Sequence, residues 1–159
     1  MAGAGKRARG CKSRYGVLIF ILLAMSMEPG ENAYGSAIDF DVLAQVESSG
    51  NHRAVSTEGA RGLFQLRRIA WQDVQNRFPR LRRYAYEEYV FDPDINRLFA
   101  EKYLYLLTRY LEHYGIEVTA ENLCIAYSAG LSYLIHDKPL LVRTKRYIRR
   151  YKQLLAMAQ

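Results

Sequence analysis

The pattern that follows Asp92 constrains the fold more than any other feature of the sequence. Asp92 is a favoured N-cap residue, and Pro93 then takes the first helical position, where its missing N–H removes no hydrogen bond. Apolar side chains recur from there at spacings of three and four, as far as the C-cap residue Gly115. They are Ile95, Phe99, Tyr103, Leu106, Tyr110 and Tyr114. The pattern predicts one long helix with a buried stripe, around which the rest of the domain packs.

Shorter helices are predicted on both sides of the long one. Apolar spacing and stop signals place them at residues 39–48, 66–78, 119–129 and 141–157. Residues 51–62, which include Gly59 and Gly62, are predicted to form a loop. Because the sequence has neither an internal repeat nor a strong alternating strand pattern, the predicted fold class is a compact all-α domain.

The first 37 residues have the order of a secretory signal peptide. Five basic residues precede an apolar run at residues 16–25, and small residues follow. A membrane anchor is the alternative, but the uncharged stretch at residues 15–27 is shorter than the roughly 20 residues of a membrane span. Cleavage is expected after Gly35 or after Ala37. The predicted organisation is a signal peptide at residues 1–37 and one catalytic domain at residues 38–159, exported as a soluble product without a stable membrane span.

Charge and cysteine content change once the predicted signal peptide is removed. Five of the 23 basic residues and two of the 16 acidic residues lie in it, which leaves 18 basic and 14 acidic residues and a net charge of +4. Cys11 also lies in this segment, so the predicted mature chain has one cysteine and no intramolecular disulfide. That cysteine, Cys124, lies between Leu123 and Ile125 and is expected to be a small buried hydrophobic residue.

Two clusters of basic residues bear on possible partners. The first contains Arg77, Arg80, Arg82 and Arg83, and the second contains Arg143, Lys145, Arg146, Arg149, Arg150 and Lys152. Interleaved tyrosines in the second cluster are compatible with a nucleic-acid surface. A solvated helix face that favours anionic surroundings explains the same pattern more simply. Since export also argues against intracellular nucleic acid, we expect no nucleic-acid partner.

Glu47 is the first candidate for chemistry. It lies at the end of the predicted helix 39–48, where the negative pole of the helix disfavours an ionised carboxylate. Shielding by a substrate groove raises the pKa of a carboxyl group in the same direction. A glutamate that stays protonated near neutral pH can donate a proton to a leaving oxygen. Glu47 is therefore the predicted general acid.

The residues after Glu47 have side chains that suit a saccharide site. Gly59 and Gly62 allow tight turns and a close approach of a sugar to the backbone. Ser56 and Gln65 supply hydrogen-bonding groups, and Phe64 supplies an apolar face. Turn formation and packing explain the same residues equally well, so spacing does not separate the two interpretations.

The chain resembles the lytic transglycosylases of the soluble, goose-lysozyme-like type. The first motif of that family is matched by Glu47, Ser48, Asn51, Ala54, Ser56, Gly59, Ala60, Gly62, Leu63 and Gln65. Later matches are Asp92, Pro93, Asn96, Tyr103, Leu104, residues 126–130, Pro139, Thr144, Tyr147 and Ile148. The resemblance implies a lysozyme-like fold and cleavage of peptidoglycan glycan strands.

The resemblance also implies a mechanism with a single enzymic carboxylate. Glu47 protonates the bond between N-acetylmuramic acid and N-acetylglucosamine, the substrate's N-acetyl group assists, and the muramic 6-hydroxyl attacks to leave a 1,6-anhydro end. Four residues are then expected to bind the sugar: Ser56, Phe64, Gln65 and Tyr127. Tyr127 is also expected to orient or hydrogen-bond Glu47. Gly62 and Ser128 are expected to support the site.

Other expectations concern location and partners. The resemblance implies the periplasm of a Gram-negative-type bacterium. Compact members of the family often open the wall for a secretion, pilus or conjugation machine, so such a machine is the expected protein partner. No cofactor is expected. No metal site is expected either, because His52, His113 and His136 form no evident ligand cluster with Cys124.

Three positions depart from the family's pattern. His52 stands where proline is usual, which affects loop stiffness. Phe64 replaces methionine, and the larger, more rigid side chain affects which glycan ends are accepted. Ser128 replaces the asparagine beside the motif tyrosine, which removes an amide that supports the site.

Two alternatives to a transglycosylase stay open. A lysozyme-like hydrolase would use water and a second carboxylate, for which Glu58, Asp92 and Asp94 are candidates. A non-catalytic glycan-binding subunit of an envelope assembly is the alternative from another functional class. The joint presence of Glu47, Gln65 and Tyr127 favours an enzyme.

Overall fold

The computed structural model describes residues 37–158 and shows an all-α fold, as predicted. The predicted signal peptide, apart from Ala37, lies outside the described residues. The α-helices are α1 (Phe40–Ser48), α2 (Arg68–Arg77), α3 (Tyr86–Tyr89), α4 (Pro93–His113), α5 (Ala120–Ala129), α6 (Ser132–Ile135) and α7 (Val142–Ala158). A 3₁₀ helix, Pro79–Arg83, follows α2. Within residues 37–158 no strand forms, and the extended pairing is confined to isolated bridges in the loop between α1 and α2.

The 21-residue helix α4 begins and ends as its sequence predicts. The Asp92 carboxylate accepts hydrogen bonds from the backbone N–H groups of Asp94 and Ile95, and Pro93 is the first helical residue. At the other end, Gly115 adopts a φ of +66°, in the left-handed region that glycine tolerates best. The caps therefore fix both limits of the helix.

The buried face of α4 differs from the predicted stripe. Phe99 and Leu106 are buried as predicted, but Tyr110 and Tyr114 are exposed. The buried residues are Asn96, Phe99, Ala100, Leu104, Tyr105, Leu106, Leu107 and Leu111. Four consecutive residues, 104–107, are buried because neighbouring elements cover this helix on more than one side. The prediction of a single buried stripe is therefore wrong for the middle of α4.

Aromatic side chains join α4 to α2. The rings of Trp71 and Phe99 stack with centroids 3.5 Å apart, and Tyr86 packs edge-on against Trp71. The Trp71 indole N–H donates to the carbonyl of Tyr84, so its polar atom is satisfied inside the core. The short elements between α2 and α4, which the sequence pattern did not predict, supply both tyrosines.

Helix α7 packs against α1 and α5 and brings the end of the described chain back to its beginning. Its inner face consists of Thr144, Ile148 and Tyr151, all buried. The Tyr151 hydroxyl accepts a hydrogen bond from the backbone N–H of Asp39, the N-cap of α1. Cys124 of α5 is buried and has a free thiol, as predicted. None of the helices in residues 37–158 combines the length and the apolar character that crossing a membrane requires.

Candidate active site

A cleft of about 380 Å³ lies where α1, the following loop, α5 and α7 meet. Its lining residues are Val46, Glu47, Ser56, Thr57, Glu58, Ala60, Gln65, Arg67, Tyr127, Ser128, Arg143, Thr144 and Tyr147. Five of the predicted site residues, Glu47, Ser56, Gln65, Tyr127 and Ser128, therefore come together. Four separate chain segments build the cleft, so its shape depends on the tertiary fold.

Glu47 is a carboxyl group whose pKa the fold raises strongly. Its side chain is only partly exposed, and burial raises its pKa from 4.5 to about 7. A hydrogen bond from the Tyr147 hydroxyl to Oε1 (2.5 Å) and the positive charge of Arg150 both lower the pKa, but burial outweighs them. A substantial fraction of Glu47 is thus protonated at neutral pH. The raised pKa predicted from the sequence is confirmed, with desolvation as its largest cause.

The end of α1, which carries Glu47, is fixed by contacts on two sides. Ser48 donates from its hydroxyl to the carbonyl of Leu63 (2.7 Å), which ties the helix to the loop. From the side of α7, the Arg150 guanidinium donates to the carbonyl of Gln45 and to the hydroxyl of Ser49. Ser49 itself ends the helix in the left-handed conformation. The Glu47 carboxylate is therefore held on a rigid support.

Gly62 allows the loop to approach α4. Its φ is +81°, and a Cβ at this position would lie 2.2 Å from the carbonyl oxygen of Val90 and 2.4 Å from Nδ2 of Asn96. Asn96 is fully buried; its Oδ1 accepts from the N–H of Phe64 (2.8 Å), and its Nδ2 donates to Val90 (2.8 Å). The predicted supporting role of Gly62 thus corresponds to a close backbone contact beneath the site, away from the cleft lining.

Ser56 and Gln65 both line the cleft, but part of their hydrogen-bonding capacity serves the loop. The Ser56 hydroxyl accepts from the N–H of Ala60, and Gln65 Nε2 donates to the carbonyls of Ala54 and Gly62. Gln65 also has a φ of +47°, an uncommon conformation for a residue other than glycine. Their remaining groups, the Ser56 hydroxyl hydrogen and Gln65 Oε1, are available to a ligand.

The predicted contact of the Phe64 side chain with sugar needs correction. The ring is fully buried, packs edge-on against Phe40, and does not line the cleft. Its apolar surface is used to hold the loop to the core. Phe64 affects the cleft through its backbone carbonyl, which accepts a hydrogen bond from the Tyr127 hydroxyl (2.7 Å).

Tyr127 lines the cleft as predicted, but the hydrogen bond to Glu47 comes from Tyr147. Because the Tyr127 hydroxyl donates to Phe64, the expected bond from Tyr127 to Glu47 does not form. Sequence reasoning placed Tyr147 in the closing helix without giving it a role. Its spacing from Thr144 and Tyr151 places all three toward the interior, and that signal could have identified it.

The remaining candidate residues differ in whether they line the cleft. Ser128 lines the cleft, but its hydroxyl donates to the carbonyl of Cys124 within α5 (2.7 Å). Among the possible second carboxylates, Glu58 lines the cleft, whereas Asp92 caps α4 and neither Asp92 nor Asp94 lines the cleft. Across residues 37–158, no group of three metal-ligating side chains forms a candidate metal site.

Comparison with known proteins identifies a family from most of the described chain. Residues 36–139, more than half of the chain, match the family model described as the transglycosylase SLT domain. Searches of curated proteins and of solved structures give no significant match. The matched range contains Glu47, the loop and Tyr127 but ends before α7. The chain therefore belongs to the SLT transglycosylase domain family, whose lysozyme-like all-α domains are lytic-transglycosylase-type domains that act on the glycan of peptidoglycan.

Proposed function

We propose that the protein cleaves the bond between N-acetylmuramic acid and N-acetylglucosamine in peptidoglycan and leaves 1,6-anhydromuramic ends. Family membership supports the reaction class. The observation that carries the assignment of Glu47 is its position in the cleft with a pKa of about 7, which suits a group that both donates and accepts a proton near neutral pH.

The geometry at Glu47 assigns its two oxygens different tasks. The Tyr147 hydroxyl donates to Oε1, so Oε2 is the oxygen left to carry the acidic proton. That proton passes to the glycosidic oxygen as the bond to the muramic C1 breaks, and N-acetylglucosamine leaves with a 4-hydroxyl group. The muramic 6-hydroxyl then attacks C1 and returns its proton to Glu47. The donated proton is thus recovered within one turnover, with assistance from the substrate's N-acetyl group.

Two lining residues bind the sugar in this proposal. The Ser56 hydroxyl and the Gln65 Oε1 face the same cleft as Glu47 and have hydrogen-bonding capacity that the loop does not use. Tyr127 also lines the cleft and holds the backbone at Phe64. Ser128 lies beside it with its hydroxyl turned to its own helix, so this position offers the substrate little polar contact.

A hydrolase is the second candidate because Glu58 also lines the cleft. The Glu58 side chain is 60% exposed and pairs with Arg143 at 3.0 Å. The ion pair with Arg143 occupies the carboxylate that would have to activate water. The transglycosylase reaction is therefore the better supported of the two.

Product analysis separates the two reactions. Purified peptidoglycan is digested and the fragments are weighed by mass spectrometry. The proposal expects anhydro products; fragments one water heavier, with no anhydro product, would establish the hydrolase instead. Glu58→Gln is the matched variant, because it removes the only other carboxylate among the described cleft-lining residues and should leave anhydro product formation intact.

Replacing the acid tests the role of Glu47. Glu47→Gln keeps the shape of the side chain but cannot donate an acidic proton, so cleavage should fall by about 10²- to 10⁴-fold. Unchanged circular dichroism and unchanged binding to peptidoglycan provide the folding control. Full cleavage by this variant would refute the assignment. Binding without any cleavage by the wild-type protein would instead support a glycan-binding subunit.

The proposed site of action is the periplasm of a Gram-negative-type bacterium. The leader-like pattern of residues 1–37 supports export, and analogy with members of the family supports local opening of the wall for a secretion, pilus or conjugation machine. Fractionation of cells that express the full chain tests the location. Affinity capture from envelope extracts tests the machine, and recovery of no assembly component would contradict it.

A further inference from the structure

Helix α7 carries a concentration of positive charge beside the cleft. Its 17 residues include six lysines and arginines and neither aspartate nor glutamate. The helix begins after residue 139, where the match to the family model ends. The charge therefore belongs to a part of this chain that the family match does not account for.

Half of these cations already have partners in the structure. Arg143 pairs with Glu58, Lys152 pairs with Glu121, and Arg150 bonds to the end of α1. The other three are Lys145, Arg146 and Arg149. All three are exposed, and no carboxylate within residues 37–158 pairs with any of them. Their charge is available to an external ligand.

Helical spacing places Arg146 nearest to the cleft, with Arg149 and then Lys145 progressively further around α7. Arg143 lines the cleft, and Arg146 lies three residues further along, one turn away on the same side. Arg149 follows Arg146 by three residues, and Lys145 precedes Arg149 by four. We call these four residues the cationic row. It begins at the cleft and crosses the exposed surface of α7.

We propose that the cationic row binds the carboxylates of the peptide stems on the glycan strand that occupies the cleft. This inference rests on the proposed function, since the stems are attached to the muramic acid units of that substrate. Arg143 already holds a carboxylate, that of Glu58, at 3.0 Å. Guanidinium groups match carboxylates in charge and geometry, so the neighbouring arginines offer the same recognition further along the strand.

The continuity with the cleft favours a stem over an anionic membrane surface. A strand in the cleft brings its stems to the row without any further docking step. Membrane insertion would require a continuous apolar face, but the exposed apolar residues Val142 and Met157 lie at opposite ends of α7. The row is therefore assigned to the substrate, and vesicle binding becomes a test.

The experiment compares two surface variants in the Glu47→Gln background, which allows binding without turnover. The first variant is Lys145→Gln/Arg146→Gln/Arg149→Gln. The matched control, Arg80→Gln/Arg82→Gln/Arg83→Gln, removes the same charge from the 3₁₀ helix, which does not line the cleft. Binding is measured at low salt to intact peptidoglycan and to glycan strands stripped of their stems by an amidase. Thermal unfolding checks that both variants fold.

The row variant should bind stem-bearing peptidoglycan about tenfold more weakly, since each exposed pair contributes little but three are lost. Binding to stripped strands should change less than about twofold, and the control should change neither. Equal loss on both substrates, or no loss, would overturn the proposal. Retained binding to peptidoglycan with lost binding to phosphatidylglycerol vesicles would assign the row to a membrane instead.

The outcome is independent of the reaction chemistry. Cleavage by the protein with Glu47 intact is measured in parallel on the same peptidoglycan. Absence of cleavage with stem-dependent binding would refute the proposed function and support the cationic row. Formation of anhydro products, together with equal binding by both variants, would support the proposed function and refute the role of the cationic row.

Discussion

Two polar side chains near the loop between α1 and α2, Asn96 and Glu47, have different surroundings. Asn96 is completely buried, and both ends of its amide bond to backbone at 2.8 Å. Glu47 is partly exposed to the cleft, receives one hydrogen bond from Tyr147, and has a pKa raised to about 7. A buried neutral amide can be satisfied completely by backbone groups, whereas a buried carboxylate loses more hydration than one hydroxyl returns.

The difference explains how one loop supports both stability and chemistry. The bonds of Asn96 to Phe64 and Val90 anchor the loop to α4, and the incomplete solvation of Glu47 keeps its proton available. The following three experiments disturb the Asn96 side, the Glu47 side and the bond between Glu47 and Tyr147.

Substitution of Gly62 should produce the largest change. In Gly62→Ala, the added methyl group meets Val90 and Asn96 at 2.2 and 2.4 Å, so the loop has to separate from α4. Left-handed strain and overpacking together should lower the free energy of unfolding by about 3 kcal/mol or more.

The matched control for Gly62 is Gly59→Ala. Its φ of +79° is nearly the same, but nothing lies within 4 Å of the added methyl group. Strain without a clash should cost about 1 kcal/mol. Denaturant unfolding measures both variants, and equal losses would show that the contact with Asn96 does not anchor the loop.

Glu47→Gln removes the titrating group and should raise the free energy of unfolding, in contrast to Gly62→Ala. The folded-state pKa of about 7 lies above the ordinary value of 4.5, so the unfolded chain loses its proton first as the pH rises. The wild-type protein therefore loses stability between about pH 4.5 and 7, and Glu47→Gln avoids this loss.

The stability gained by Glu47→Gln should thus grow from pH 4 to pH 8, by at most about 3 kcal/mol. Urea unfolding at both pH values measures it. Glu58→Gln is the exposed control and should show no comparable growth. A gain that does not depend on pH would show that folding does not raise the pKa of Glu47.

Replacing Tyr147 should give the smallest and most specific effect. In the proposed mechanism the proton donor is the protonated form of Glu47, so kcat/KM should fall as the pH rises through about 7. The hydrogen bond from Tyr147 lowers this pKa, so Tyr147→Phe should move the decline to higher pH. The maximal rate should fall by less than about tenfold, since one hydrogen bond is lost.

Tyr127→Phe provides the comparison for Tyr147→Phe. Its hydroxyl bonds to the carbonyl of Phe64, so this variant should reduce activity without moving the pH profile in the same way. An unshifted profile in Tyr147→Phe would indicate that the bond to Glu47 is not maintained in solution.

The sequence predicted those features that local signals determine. The capping residues Asp92 and Gly115 located the ends of α4 closely, and Thr119, predicted as the first residue of a helix, is the N-cap of α5. The helix 66–78 was predicted two residues too early because Leu66 pairs with Arg61 in the loop, a contact that helical periodicity does not reveal. The raised pKa of Glu47 and its place in the cleft agree with the prediction, whereas its role as the acid stays a prediction.

Features that depend on the three-dimensional arrangement were predicted less well. Phe64 was predicted to bind sugar and Tyr147 was given no role, yet Phe64 is buried in the core and Tyr147 bonds to Glu47. Spacing within α7 indicates that Tyr147 faces inward, but its partner lies 100 positions away and depends on the tertiary fold. The reason for glycine at position 62 was also hidden, since the obstructing atoms belong to Val90 and Asn96.

Helix α7 fixes the position of α1 and contacts Glu47 at its end. Tyr151 holds the first turn of α1, Arg150 holds its last turn, and Tyr147 contacts the acid between them. All three residues lie beyond residues 36–139, the range that the family model matches, although Tyr147 is also among the residues that carry the resemblance. A change in α7 can therefore alter the surroundings of Glu47 while every residue in the range 36–139 stays the same.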